Sequence, residues 1–186
     1  MPQLSLEHLE KVSKKEVFIE TGTYKGDTVQ TALNFGFKKI HSIEIEQNNF
    51  IECSNRFKTN ANVKIWHGDS PDILSFNIIP FLTSEATFWL DAHSSRSLQV
   101  PGSDKYGKCP LLNELEAIGK SSIKNHVIIA DDVRLFGTIS WDYLSKDYYI
   151  SKLLEINPNY SILYLDGGTS FGRKFPENDI LVAYLA

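Results

Sequence analysis

Two apolar runs in this chain end in acid. Phe88-Trp89-Leu90-Asp91-Ala92-His93 closes on an aspartate and a histidine, and Val127-Ile128-Ile129-Ala130-Asp131-Asp132 closes on two consecutive aspartates. If the runs are neighbouring parallel strands, about 5 Å apart, Asp91, Asp131 and Asp132 converge at one crevice. Three carboxylates in one pocket repel unless a cation joins them or one takes a proton. An all-oxygen set suits Mg²⁺, Mn²⁺ or Ca²⁺ and not zinc, which favours nitrogen and sulfur. The plainer reading is that Asp131 and Asp132 cap the next segment while Asp91 orients a substrate without metal. His93, two residues past Asp91, places an imidazole at the strand mouth, where it can serve as a base near neutral pH. A surface loop histidine is the ordinary alternative.

A third stretch, Val17-Phe18-Ile19-Glu20-Thr21-Gly22-Thr23-Tyr24-Lys25-Gly26-Asp27-Thr28, runs from an apolar strand through an acid and a glycine turn into a helix. Its Glu-x-Gly-x-x-x-Gly spacing is not the Gly-x-Gly-x-x-Gly that brings backbone amides onto a dinucleotide pyrophosphate, and no phosphate-cradling Gly-Lys-Ser/Thr follows. Such a turn suits a ligand that carries an ammonium and a ribose. An acid at the end of the second parallel strand commonly accepts from a ribose diol. Glu44 lies there, about 22 residues after Gly22, and Glu46 competes from the same strand face. After the next strand comes His67-Gly68-Asp69-Ser70, where Asp69 can accept from an amine and Ser70 can donate to a ring nitrogen. Gly-Asp-Ser is also a common turn and helix cap.

The elements that must position these residues alternate between strand-like and helix-like, which predicts a parallel sheet covered on both faces. Helices are expected over Leu4–Val12, Asp27–Phe35, Gln47–Lys58, weakly over Pro71–Phe76, from Pro110 onward and over Trp141–Ile156. Strands are expected over Val17–Glu20, Lys39–Ile45, Val63–Trp66, Ala86–Leu90, His126–Ala130, Tyr160–Leu165 and Ile180–Leu185. The connection between the last two contains glycines and a proline and no helix, so they should form an antiparallel pair. Ser94 to Lys108 reads as a polar loop. His67 and His126, beside or inside strands, read as structural.

With 186 residues the chain is expected to be one domain, 1–186, large enough for a full core. A net charge of −4 lacks the basic footprint of nucleic-acid binding, so no nucleic-acid partner is expected. Cys53 and Cys109 have neither disulfide-framework nor metal-ligand spacing, and reduced thiols of a cytoplasmic protein are expected. No apolar run reaches the roughly 18 residues of a membrane span, and the start lacks the pattern of a signal peptide. Association into homo-oligomers is left open.

Taken together, the Glu20 to Thr28 turn, Glu44, the Gly68-Asp69-Ser70 turn and the strand order make the chain resemble the class I S-adenosylmethionine-dependent methyltransferases over almost its whole length. Within them it looks like the metal-dependent O-methyltransferases that act on catechols and macrolide sugars. The resemblance implies a Rossmann-like, mostly parallel seven-stranded α/β sheet with a C-terminal antiparallel pair. It implies that Glu20, Gly22, Thr23, Tyr24, Gly26, Glu44, Asp69, Ser70 and Asp91 bind S-adenosylmethionine. Glu44 would serve the ribose, since the family's acid stands two residues before strand gives way to helix, while Asp69 and Ser70 would reach the adenine. It implies further that Asp91, Asp131 and Asp132 hold Mg²⁺ or Mn²⁺, and that His93 acts with Asp91 in catalysis. The lysine of the catechol group is missing, because Ser94, Ser95 and Arg96 stand there and Lys105 and Lys108 lie too far along. The His93 position, the lack of a large apolar cap and analogy point to a sugar or glycan end, a small polyhydroxylated substrate. Ser94 to Lys108, with Arg96, Tyr106 and Lys108, would fold over it, and Asp166 to Asn178 would bring Phe171, Arg173 and Lys174 to the same rim. An aromatic amine acceptor is disfavoured by the absence of any Pro-Pro pair. A metal-independent methyltransferase for another small molecule and a cofactor-binding protein without catalysis are the competing readings.

Overall fold

Short apolar runs separated by amphipathic segments fold here as an alternating α/β chain. The computed structural model describes residues 4–12, 16–93, 105–170 and 172–186, without the side chains of Ser170 and Arg173. In chain order the elements are α1 (Leu6–Val12), β1 (Val17–Thr21), α2 (Asp27–Phe35), β2 (Lys39–Glu44), α3 (Gln47–Phe57), β3 (Val63–His67) and α4 (Ser70–Ile73). They continue with β4 (Ala86–Leu90), α5 (Leu111–Gly119), β5 (Val127–Ala130), α6 (Lys146–Ile156), β6 (Ser161–Leu165), β7 (Thr169–Ser170), β8 (Arg173–Lys174) and β9 (Ile180–Tyr184).

The sheet has seven strands in the order β3-β2-β1-β4-β5-β9-β6. The first five are parallel, and β9 runs antiparallel between β5 and β6. This is the expected architecture, with the expected C-terminal pair. Every residue of β1, β4 and β5 is buried, as central strands covered on both faces require. Side chains alternate between two cores. Phe18, Ile40, Trp89 and Ile129 face the layer of α1 and α2, whereas Ile19, Ile43, Phe88 and Ile128 face the layer of α5 and α6. Register sets the site: Leu90 pairs with both Thr21 and Ala130, so Asp91 and Asp131 leave adjacent strand ends.

Three elements differ from the sequence expectation. The helix expected from Trp141 starts only at Lys146, where Ser145 Oγ accepts from the Tyr148 amide at 3.1 Å and caps it. Before it, Asp142 and Tyr143 adopt left-handed φ values of 50° and 57°, which no helix can continue through. Pro110 sits one residue before α5, at its cap position. The connection to β9 carries a two-stranded ribbon, β7–β8, too short to leave a periodic signal. Among the described residues no helix is long and apolar enough to cross a membrane.

The turn after β1 requires glycine. Gly22 has φ 84°, and a Cβ there would lie 2.6 Å from the Asp91 carbonyl oxygen, part of the β4 backbone. Gly22→Ala is therefore expected to lower the unfolding free energy by about 2 kcal/mol through backbone strain and collision. Urea unfolding of the variant beside wild type measures it, and an unchanged midpoint would contradict the close approach.

Candidate active site

The β1 and β2 ends are joined by a chain of short polar contacts. Glu20, on β1, is buried, and Ser42 Oγ donates to its Oε2 at 2.5 Å. The Thr23 hydroxyl lies 2.6 Å from the same Ser42 oxygen. Burial pushes the Glu20 carboxyl up to about 8; the Ser42 hydrogen bond opposes this, and the nearby Asp91 and Glu44 charges add to it. Glu44 ends β2 and ties two turns together. Its Oε2 accepts from the Tyr24 amide at 2.7 Å and its Oε1 from the Glu46 amide at 2.8 Å. Tyr24 reaches this bond with a left-handed φ of 49°. Each Glu44 oxygen keeps a second lone pair for a ligand hydroxyl. The rival Glu46 is spent on a helix cap, accepting from the Asn48 and Asn49 amides that open α3. Gly26, with φ 78°, opens α2 where a Cβ would strike the Phe57 ring at 2.6 Å.

At the β3 end, Asp69 is half-buried, and its carboxyl makes no cap hydrogen bond to α4. Burial raises its pKa, with the Asp72 charge adding. Ser70 has a different partner from the one expected. Its hydroxyl is buried and donates to Glu114 Oε1, on α5, at 2.5 Å, so its proton points into the core. Glu114 is itself fully buried, and burial lifts its carboxyl to about 7.

Asp91, His93, Asp131 and Asp132 do meet at the β4 and β5 ends. His93 Nε2 lies 3.3 Å from Asp132 Oδ2 and 3.7 Å from Asp91 Oδ1. Asp131 Oδ1 accepts from the Asp132 amide at 2.6 Å, and Asp132 takes a left-handed φ of 54°. The three acids diverge electrostatically. Burial raises Asp91 to about 7, with His93 opposing, and burial followed by the Asp91 and Asp132 charges drives Asp131 well up. Burial would raise Asp132 as well, but His93 and Arg134 carry it below the ordinary range. Burial and the neighbouring charges thus favour the protonated form of Asp91 and Asp131.

The three acids expected to hold a metal, Asp91, Asp131 and Asp132, stand at neighbouring strand ends. Oxygen donors are present, and Asp91 Oδ1, Asp131 Oδ2 and Asp132 Oδ1 are buried without a hydrogen bond. Yet among the described residues no three His, Cys, Asp or Glu side chains are placed to hold an ion together. Asp132 is engaged by Arg134 Nη1 at 2.7 Å on one oxygen and by His93 on the other. The same Nη1 pairs with Asp179, and Asp179 Oδ1 also accepts from the Arg134 amide at 3.0 Å. Sequence reasoning missed Arg134, Asp179, Ser42 and Glu114, because nothing local marks them.

A groove of about 480 Å³ is lined by Tyr106, Asn113, Asp142, Tyr143, Ser145 and Tyr148, with Leu112, Trp141 and Leu144 as its apolar wall. Burial raises the thiol of its wall residue Cys109 to about 12. Tyr106 donates its hydroxyl to Asp72 Oδ1 at 2.6 Å, and Lys108 Nζ donates to the Ile139 carbonyl at 3.3 Å. Ser94, Ser95, Arg96 and Phe171 lie outside the described residues, as does the Arg173 side chain. His126 is structural, its Nδ1 accepting from the Ala86 amide at 3.1 Å.

No protein-family model matches the chain, and no curated protein is similar to it in sequence. Solved structures are similar in fold. An O-methyltransferase from Bacillus cereus in complex with SAH superposes with a TM-score of 0.58 at 17% identity, over 92% of this chain and 74% of that one. The glycopeptide N-methyltransferase MtfA complexed with sinefungin gives 0.57 at 8% identity, over 97% and 84%. An rRNA methylase from Streptococcus thermophilus gives 0.53 at 11% identity, over 95% and 91%. The chain has the class I methyltransferase fold, and at these identities the likeness extends to the fold alone.

Acids whose pKa is raised by folding bind more protons in the native than in the unfolded state between the two pKa values. Stability from Glu20 is therefore full below about 4.5 and is lost as pH climbs towards 8; Asp91 and Glu114 act the same way up to about 7. The ligand-free protein is expected to lose unfolding free energy from pH 5 to pH 8. Glu20→Gln should flatten part of that slope in chemical denaturation across pH. A steeper slope in the variant would contradict a protonated Glu20.

Proposed function

We propose that this protein is an S-adenosylmethionine-dependent methyltransferase acting on a hydroxyl of a small polyhydroxylated molecule, a sugar or glycan end. The observation that carries the reading is the turn from Gly22 to Gly26, held by Glu44 through the Tyr24 amide and backed by the buried Glu20–Ser42–Thr23 chain. That arrangement offers acids and hydroxyls at the strand ends where a phosphate-binding turn would offer bare amides.

The residues fit the cofactor's chemistry. Glu20 and Asp91 are buried acids whose carboxyls burial raises, so a ligand ammonium is favourable beside them. Glu44 has lone pairs for a ribose diol, and Asp69 has a carboxyl for an adenine amine. Ser70, turned towards Glu114, is left out of adenine recognition and instead braces the β3 turn against α5. Bound here, S-adenosylmethionine supplies a methyl group on a sulfonium. His93 takes the acceptor hydroxyl's proton as that oxygen gains the methyl, and Asp132, beside the ring, stabilises the imidazolium that forms. The groove supports a polyhydroxylated acceptor by offering tyrosine faces and the polar groups of Asn113, Asp142 and Ser145. Metal assistance is not part of this reading, because Asp132 is engaged by Arg134 and His93.

Calorimetry with S-adenosylhomocysteine should show saturable binding that NAD does not compete with. Glu44→Gln should weaken it by about tenfold, the scale of a lost charge-assisted hydrogen-bond pair. A thermal melt run alongside checks that the Tyr24 turn survives, and unchanged affinity would remove Glu44 from the ribose. Transfer of labelled methyl to a panel of sugars and phenols identifies the acceptor. On that acceptor His93→Ala should cost about 10²–10⁴ in turnover with cofactor affinity kept, and the rise of rate with pH should vanish.

A further inference from the structure

Asp132, in the turn after β5, already has a cation. Arg134 Nη1 lies 2.7 Å from Asp132 Oδ1 and also pairs with Asp179, whose side chain is wholly buried. The backbone of Arg134 is fixed from the same side, its amide donating to Asp179 Oδ1 at 3.0 Å and the Val133 amide to the Asp179 carbonyl at 2.9 Å. The guanidinium also sits 5.1 Å from the Phe175 ring centroid. Two buried acids and an aromatic face therefore hold a side chain that is itself about one-third exposed, on a backbone fixed by two amides. The left-handed turn at Asp132 aims its carboxylate between this guanidinium and His93. Strain of that kind persists where the surroundings over-determine it.

We propose that Arg134 is the resident counter-cation of this site: its guanidinium takes the place at Asp132 that a divalent ion would need, and it holds Asp132 as the partner that positions His93. Arg134 is thus a positioning residue acting through Asp132, and the site works without a metal. The assignment rests on the methyltransferase reading for His93's task, but the placement of Arg134 stands on its own contacts. A guanidinium suits this duty because it stays charged and can serve two carboxylates from a fixed plane. A divalent ion at the same oxygen would meet a like charge at contact distance.

The test uses Mn²⁺ as probe on the full chain, followed by the electron paramagnetic resonance signal of the free ion. Wild type should show no stoichiometric site tighter than about 1 mM, whereas Arg134→Gln, which frees Asp132 of its cation, should gain one at least about tenfold tighter. That gain should disappear in the Arg134→Gln/Asp132→Asn double variant. Arg134→Lys, which keeps the charge, should exclude Mn²⁺ as wild type does. Arg134→Met gives the same reading if the glutamine variant does not fold. One tight Mn²⁺ per wild-type chain, lost in Asp132→Asn, would overturn the proposal. So would a neutral variant that gains no site, or a lysine variant that gains as much as the neutral one. None of these readouts needs methyl transfer, so failure to bind S-adenosylhomocysteine sinks the functional reading alone.

Discussion

Five parallel strands end on one edge of the sheet, and any acid placed at those ends must share a poorly hydrated crevice with the others. Glu20, Glu44, Asp91, Asp131 and Asp132 all occupy that edge, and all are largely withdrawn from water. Burial is the first cause acting on each of them, and it favours the neutral form. The chemistry of the site follows from how that cost is met, group by group. Glu20 meets it with a proton and the Ser42 hydroxyl, Glu44 with two backbone amides, and Asp132 with Arg134 and His93. Asp91, Asp131 and Asp132 each keep an oxygen without a hydrogen bond, and burial raises the first two.

Glu44 and Asp132 solve the same problem with opposite consequences. Glu44 is neutralised by dipoles that belong to two turns, so its carboxylate also sets the shape of the glycine loop. Asp132 is neutralised by a side chain that could in principle leave, so its charge is tied to the geometry of the β5 turn and of Asp179. The first arrangement builds a rigid recognition surface. The second holds an imidazole next to a carboxylate at the mouth of the crevice, which is a setting for moving a proton. In the proposed reading, the same edge separates recognition, on the β1 to β3 side, from proton handling, on the β4 and β5 side.

Fold analogy and side-chain geometry pull apart at the metal. The resemblance carried the strand-end acids over as a ligand set, and their positions along the chain do match. What the match leaves out is the company those acids keep. A carboxylate already flanked by a guanidinium and an imidazole has a cation beside the place an ion would take. Function therefore has to be argued from the contacts of this chain. The solved structures of like fold include enzymes named for oxygen, nitrogen and rRNA methylation, so the sheet does not specify the acceptor.

The sequence by itself determined the strands, the antiparallel C-terminal pair and the glycine turn, because each is written in local signals; the spatial strand order came from the structure. Two-residue and helical periodicity separate Val17–Thr21 from Asp27–Phe35, and the spacing of Gly22 and Gly26 excludes a dinucleotide turn. It also placed the acids at strand ends, since an apolar run closed by aspartate has few other meanings in a parallel sheet. Only the tertiary structure decided what those acids do. The partner of Ser70 is Glu114, 44 residues away, and the partner of Arg134 is Asp179, 45 residues away. Whether a buried acid keeps its proton, accepts an amide or pairs with an arginine depends on distances of a few ångströms between such remote positions. No local pattern encodes those distances, because packing across the sheet edge sets them.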